Sequence, residues 1–119
     1  MKLHRIALCS LFIHLPLIAQ SITGAIGGTI VDPSGAAIVT AKVTLRSQAT
    51  GAERSGESNE AGRFFFGSLQ PGVYTLAIDA AGFRGLERTS INLPAAETLN
   101  LGDLRLEVGQ VTDSVEVRE

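Results

Sequence analysis

The sequence predicts an all-β fold, a small sandwich of six or seven strands, on three grounds. Short runs alternate apolar and polar residues with a period of two, clusters of Gly, Pro, Asn and Asp punctuate those runs at sandwich-like spacing, and no helical periodicity is present after the first twenty or so residues. The densest apolar stretch is Gly62 to Phe83, GRFFFGSLQPGVYTLAIDAAGF. Its two runs, Phe64 to Leu69 and Val73 to Ile78, flank Gln70-Pro71-Gly72, where proline presets φ and glycine supplies a positive φ; this reads as a hairpin-like corner. Phe64 and Phe66 share one face, and Tyr74, Leu76 and Ile78 share one face of the next strand. Burying each such side chain stabilises by about 1.5–3 kcal/mol, so the remaining strands are expected to cover them with a second layer.

The opening of the chain is a different kind of segment. Lys2, His4 and Arg5 precede an apolar run, Ile6 to Ala19, broken only by Ser10, His14 and Pro16. A basic start, a short apolar core and small residues after Pro16 fit a secretory signal peptide over residues 1–21, with cleavage after Ala19 or Ser21. The run is short for a membrane span, and Cys9 comes too early in it for a lipoprotein anchor. What remains is one domain's worth of chain, with a sandwich expected over residues 22–108 and a strand or linker over 109–119.

From Ile22 to Asp32, β-branched residues mixed with glycines predict a first strand, either at an edge or closely approached by another backbone. Asp32-Pro33-Ser34-Gly35 is a turn in which aspartate bonds back to the chain. Ala41, Val43 and Leu45 then alternate with Lys42, Thr44 and Arg46 in a half-buried strand that points Lys42 outward. A short exposed strand is expected near Glu53 to Ser58, paired with the strand after it, and Asn59-Glu60-Ala61-Gly62 turns into the aromatic strand. Beyond Phe83, two further strands are expected over Leu86–Leu93 and Thr98–Val108, separated by Pro94, and a last alternation places Val115 with Val117.

The order GTIVDPSGA at Gly28 to Ala36, AKVTL at Ala41 to Leu45, GRFFFGSLQPGVYTL at Gly62 to Leu76 and AAGF at Ala80 to Phe83 resembles the carboxypeptidase regulatory-like domain. The resemblance implies a prealbumin-like, seven-stranded Greek-key β-sandwich. A leader, this domain and an ending like VTDSVEV also resemble the amino-terminal extension of bacterial TonB-dependent outer-membrane receptors, in which a plug and a barrel come next. That context implies export to the periplasm, outer membrane or medium, with a downstream receptor domain or another protein as partner.

Composition narrows the chemistry. The formal net charge is −2 and the basic residues are scattered singly, which argues against nucleic acid or an anionic membrane as partner. Both histidines and the one cysteine lie in the leader, so the domain has no material for His- or Cys-based nucleophiles or the usual zinc sites, and no disulfide. Asp32, Asp79, Asp103 and Asp113 are dispersed. No enzyme activity and no cofactor are expected. Glu57, Asn59 and Glu60 form no dense calcium loop and read as a turn, and an outward Lys42 is unsuited to the Lys–Asn cross-link of some adhesin domains that this one resembles. The candidate partner contacts are Phe65, Phe83, Val115 and Val117. Phe65 alternates away from Phe64 and Phe66, so it serves either as a sugar or protein contact or as a small apolar patch against a loop. Val115 and Val117 belong either to an edge strand or linker, or to a segment engaging TonB by strand addition. The alternative function is a free-standing carbohydrate-binding or adhesion module.

Overall fold

A computed structural model describes residues 22–109, and they form seven strands in two sheets. The strands are β1 (Gly24–Val31), β2 (Lys42–Ser47), β3 (Glu53–Glu57), β4 (Arg63–Leu69), β5 (Gly72–Asp79), β6 (Leu86–Leu93) and β7 (Thr98–Arg105). One sheet has the order β4-β1-β7 and the other β3-β2-β5-β6. All pairings are antiparallel except β1 with β7. The expected seven-stranded Greek-key sandwich is therefore the fold. The segment expected to be a leader, residues 1–21, and residues 110–119, including Val115 and Val117, lie outside the described residues.

The core is where the alternation placed it. Phe64, Phe66 and Leu69 on β4 and Tyr74, Leu76 and Ile78 on β5 are buried, packed with Ile26, Ile30, Val43, Leu45, Leu104 and Leu106. The corner between β4 and β5 differs from a hairpin, however. The two strands lie in opposite sheets and face each other across the core. Tyr74 fixes this arrangement by donating its phenol to the Gln70 carbonyl, four residues upstream, at 2.6 Å. The Gln48 N–H donates to the Val73 carbonyl at 2.9 Å, drawing β5 onto the β2 side. Gly72 takes the expected positive φ (154°), and Ser68 (φ 54°) adds a left-handed residue that the sequence reading did not place in the corner.

One other pairing differs from expectation, and one settles an alternative. β3 pairs backward with β2, with Lys42 opposite Glu57 and Arg46 opposite Glu53, because the Ser47–Ala52 turn closes a hairpin between them. β1 is central in its sheet, so of the two readings of its glycines the close backbone approach is the one realised: a Cβ at Gly27 would lie 3.1 Å from the Phe64 carbonyl oxygen. Bulges then switch parity in the last strands. In β6 one extra residue near Ser90 (φ 57°) puts Leu86 and Ile91 on the same side, and in β7 Gly102 (φ 73°) does so for Leu101 and Leu104.

The loop from β1 to β2 is tied down by polar groups. Asp32 caps its own turn, accepting from the Ser34 hydroxyl at 2.7 Å and from the Ser34 and Ala36 N–H groups at 2.9 Å each. The Ser34 hydroxyl first, then the Ala36 N–H, hold this carboxyl below its ordinary value. A depressed folded-state pKa means that the stabilisation is complete above the ordinary aspartate value of about 3.9 and is lost as pH falls through the lower folded value. Asp32→Asn, which does not titrate, is expected to flatten the acid limb of thermal stability below about pH 4, measured as Tm from pH 6 to pH 2.

At the other end of the loop, Ser58 is buried and fully bonded. Its hydroxyl donates to the Ile38 carbonyl at 2.7 Å and accepts from the Ala41 N–H at 2.9 Å. Ser58→Ala leaves both backbone groups without that partner. The expected cost is about 1–3 kcal/mol in urea unfolding, well above the cost of an exposed Ser→Ala change.

Candidate functional site

The strand period divides β4 into two faces. Phe64 and Phe66 enter the core, and Arg63, Phe65 and Gly67 face away from it. Of the described aromatic residues Phe65 alone is exposed, at 66%. Register then sets its surroundings. Phe65 stands opposite Gly27 on β1, which stands opposite Asn100 on β7, and in the next row Arg63 stands opposite Thr29.

The absence of side chains at two neighbours determines how the ring sits. A Cβ added at Gly27 would lie 3.3 Å from Cδ1 of Phe65, and one added at Gly67 would lie 3.2 Å from Cε2. These carbons are opposite corners of the ring, so the phenyl lies down across both glycines and turns one face to solvent. An open depression of about 690 Å³ runs beside it, lined among others by Gly27, Thr29, Arg63, Thr98 and Asn100. The Asn100 amide oxygen accepts the Gly102 N–H at 2.9 Å, which orients that side chain and leaves its NH₂ group to donate elsewhere.

Polar side chains close the free edge of β4. Asn59 receives the Ala61 and Arg63 N–H groups on its side-chain oxygen at 2.9 Å each, and its own N–H donates to the Arg63 carbonyl at 2.9 Å. Arg54 of β3 donates to the Gly67 carbonyl at 2.5 Å, with its guanidinium carbon 5.7 Å from the centroid of Phe66. Of the three residues between these clamps, Phe65 is the one whose backbone groups face the open edge.

The sequence-level candidates separate accordingly. Phe65 is neither in the core nor against a loop; it rests on the outer face of the three-stranded sheet. Phe83 is half-buried: its backbone bonds to Ala80 and bridges Val108, and its ring packs against the core. The Gly82 turn (φ 86°) directs it inward. Arg63, Thr29 and Asn100 were not singled out from the sequence. Arg63 was detectable as the period-two neighbour of Phe65, whereas Thr29 and Asn100 join the site only through strand register. Lys42 is exposed, between Glu57 and Asp79 on the adjacent strands. Among the described residues no three of His, Cys, Asp and Glu come together as a metal site, and no helix is long and apolar enough to cross a membrane.

The order of strands, turns and core positions is matched along nearly all of the described residues by one family model, that of the carboxypeptidase regulatory-like domain, over residues 25–107. The chain belongs to that family. No curated protein sequence matches it. Among solved structures, this domain is similar to catechol 1,2-dioxygenase from Pseudomonas arvilla, at TM-score 0.61 and 17% identity over 84% of this chain and 56% of that one. It is also similar to a putative carbohydrate binding protein from Bacteroides uniformis, at TM-score 0.57 and 13% identity over 70% of this chain and 40% of that one. A third likeness is to GBS52, the minor pilin of Streptococcus agalactiae, at TM-score 0.57 and 12% identity over 82% of this chain and 48% of that one. At these identities the likeness shows the fold alone, and in each case the chain spans less than two thirds of the other protein.

Proposed function

We propose that this carboxypeptidase regulatory-like domain is a non-catalytic accessory module that acts after export, presenting a rigid sheet face to a partner. One observation carries the reading: the ring of Phe65 is solvent-facing, yet seated on Gly27 and Gly67 within a paired sheet, so it is held ready for contact at little further entropic cost. Loops and edges on such a scaffold bind without any bond-making.

The finer reading makes the module the amino-terminal extension of a TonB-dependent outer-membrane receptor, located in the periplasm or at the outer membrane. It is supported by the leader-like first 21 residues followed directly by a domain of this family. The coding sequence downstream of Glu119 tests it. An open frame continuing into a plug and a barrel of amphipathic strands supports the receptor reading, and a frame that ends without them overturns it.

A second reading, a free-standing carbohydrate-binding or adhesion module, is favoured by the exposed ring itself and is compatible with the carbohydrate-binding and pilin proteins that share the fold. It differs from the first in needing no downstream domain.

A further inference from the structure

We infer that the outer face of the β4-β1-β7 sheet is a sugar-binding site, with Phe65 as the stacking platform for one neutral pyranose ring and Arg63 and Asn100 as hydrogen-bond donors to its hydroxyls. The inference rests on the reading of the protein as an interaction module and names the ligand class of that module's one exposed aromatic.

Three features select a sugar over a protein segment. The first is the shape of the apolar surface. A phenyl ring lying down on two glycines offers a single flat apolar face, which matches the C–H face of a pyranose. The second is its isolation. Around the ring the depression is lined by the polar side chains of Thr29, Glu57, Arg63, Thr98 and Asn100, with half-buried Leu99 the one other apolar side chain that reaches its surface, whereas a stable protein interface buries about 800 Å² per partner around an apolar centre. A ring rimmed by hydroxyl, amide and guanidinium groups instead pairs an apolar face with a polar periphery, as a pyranose does.

The third feature is the closure of the edge. Because Gly62 bonds to Ile30 on β1, the alternate residues Arg63, Phe65 and Gly67 turn their backbone groups outward from the sheet. Asn59 occupies both groups of Arg63, and Arg54 occupies the carbonyl of Gly67. Only Phe65 retains outward N–H and C=O groups between the clamps, too short a stretch to template an added strand. Partner recognition at this position therefore goes through the ring and the sheet face.

Arg63 sits two residues before Phe65 on the same face, with five fixed donors and no acceptor. The NH₂ group of Asn100 lies across Gly27 from the ring, with its oxygen anchored by Gly102. The two donors thus flank the platform on adjacent rows, and Gly27 keeps the floor between them low enough for a sugar ring to reach both.

The test is an NMR titration of the purified full-length chain with methyl glucoside, methyl galactoside, maltohexaose and cellohexaose. At least one is expected to bind in the millimolar to high-micromolar range, moving the signals of Gly27, Phe65 and Asn100. Phe65→Ala is expected to weaken that binding by more than tenfold and Arg63→Gln or Asn100→Ala by several-fold, with Lys42→Ala, on the outer face of the other sheet, unchanged. Phe65→Trp, with a larger platform, is expected to bind at least as tightly, which a mere glycine-covering role would not produce. No shift with any of the four sugars, shifts confined to other surfaces, or equal binding by Phe65→Ala would overturn the inference. A protein partner whose binding depends on Phe65, in the absence of sugar binding, would also overturn it while leaving the interaction module standing.

Discussion

Phe64→Ala is expected to lower the stability by about 3–5 kcal/mol, a large share of the total of about 5–15 kcal/mol for a domain of this size, and to move the urea midpoint down accordingly. Phe64 is buried near the start of β4 with its ring at a tilt to that of Phe66, centroids 6.1 Å apart. Its opposite number on β1 is Gly28, which has no side chain to move into the space that the ring vacates. A cavity lined by glycine backbone collapses poorly, which places the cost toward the upper end of the range. The same geometry predicts a reversal of sign. In the wild-type chain a methyl at Gly28 would meet Phe64 ring carbons at 3.1 Å and the Gly102 carbonyl at 3.3 Å, so Gly28→Ala destabilises. In the Phe64→Ala background the ring is gone, and Gly28→Ala is expected to recover about 1 kcal/mol by filling part of the void. A double-mutant cycle in urea measures both; additivity of the two substitutions would show that the ring and the glycine are not complementary.

Side-chain parity was the most legible property of this chain. It assigned Phe64, Phe66, Tyr74, Leu76 and Ile78 to the interior and Lys42 and Phe65 to the exterior, while residue chemistry assigned Asp32-Pro33-Ser34-Gly35 to a turn. Parity does not say which sheet a strand joins. Two strands with apolar faces lie either side by side with those faces aligned, or opposite one another with the faces meeting, and alternation is identical in both cases. Hydrogen bonds between residues distant in sequence decided it for β4 and β5, through the Gln48 N–H to the Val73 carbonyl, along with the local Tyr74 phenol to the Gln70 carbonyl. The direction of β3 was hidden for the same reason. The candidate site was legible in its platform and not in its rim: Phe65 emerges from alternation, but the seat on Gly27 and the neighbours Thr29 and Asn100 depend on the registers β1 makes with two different strands, one of them parallel and bulged.

Gly62→Val is expected to destabilise by an amount comparable to the loss of a core aromatic, although it adds apolar surface. Gly62 is buried where the Asn59 turn feeds into β4, with φ at 77°, a conformation that costs a residue bearing a Cβ about 1–2 kcal/mol and a β-branched one more. Its carbonyl accepts the Ile30 N–H at 2.7 Å and its N–H donates to the Asn59 carbonyl at 2.8 Å, so the backbone is held from both sides. A Cβ there would lie 2.6 Å from the Ile30 carbonyl oxygen and 3.1 Å from the Ala37 methyl. The first of these neighbours is backbone in the central strand and cannot swing aside as a side chain would. Relief requires either moving β1, which carries the core residues Ile26 and Ile30, or giving up the bond that sets the register of β4. The expected result is a loss of about 3 kcal/mol or more, the sum of φ strain and a displaced strand hydrogen bond. Gly62→Ala meets the same carbonyl and is expected to recover little. Gly35→Ala, also at positive φ (92°) but with nothing within 4 Å of the new Cβ, isolates the conformational cost alone at about 1 kcal/mol. Chemical denaturation of the three variants separates strain from collision, and a Gly62→Ala cost no larger than that of Gly35→Ala would mean that β1 yields where the packing says it is fixed.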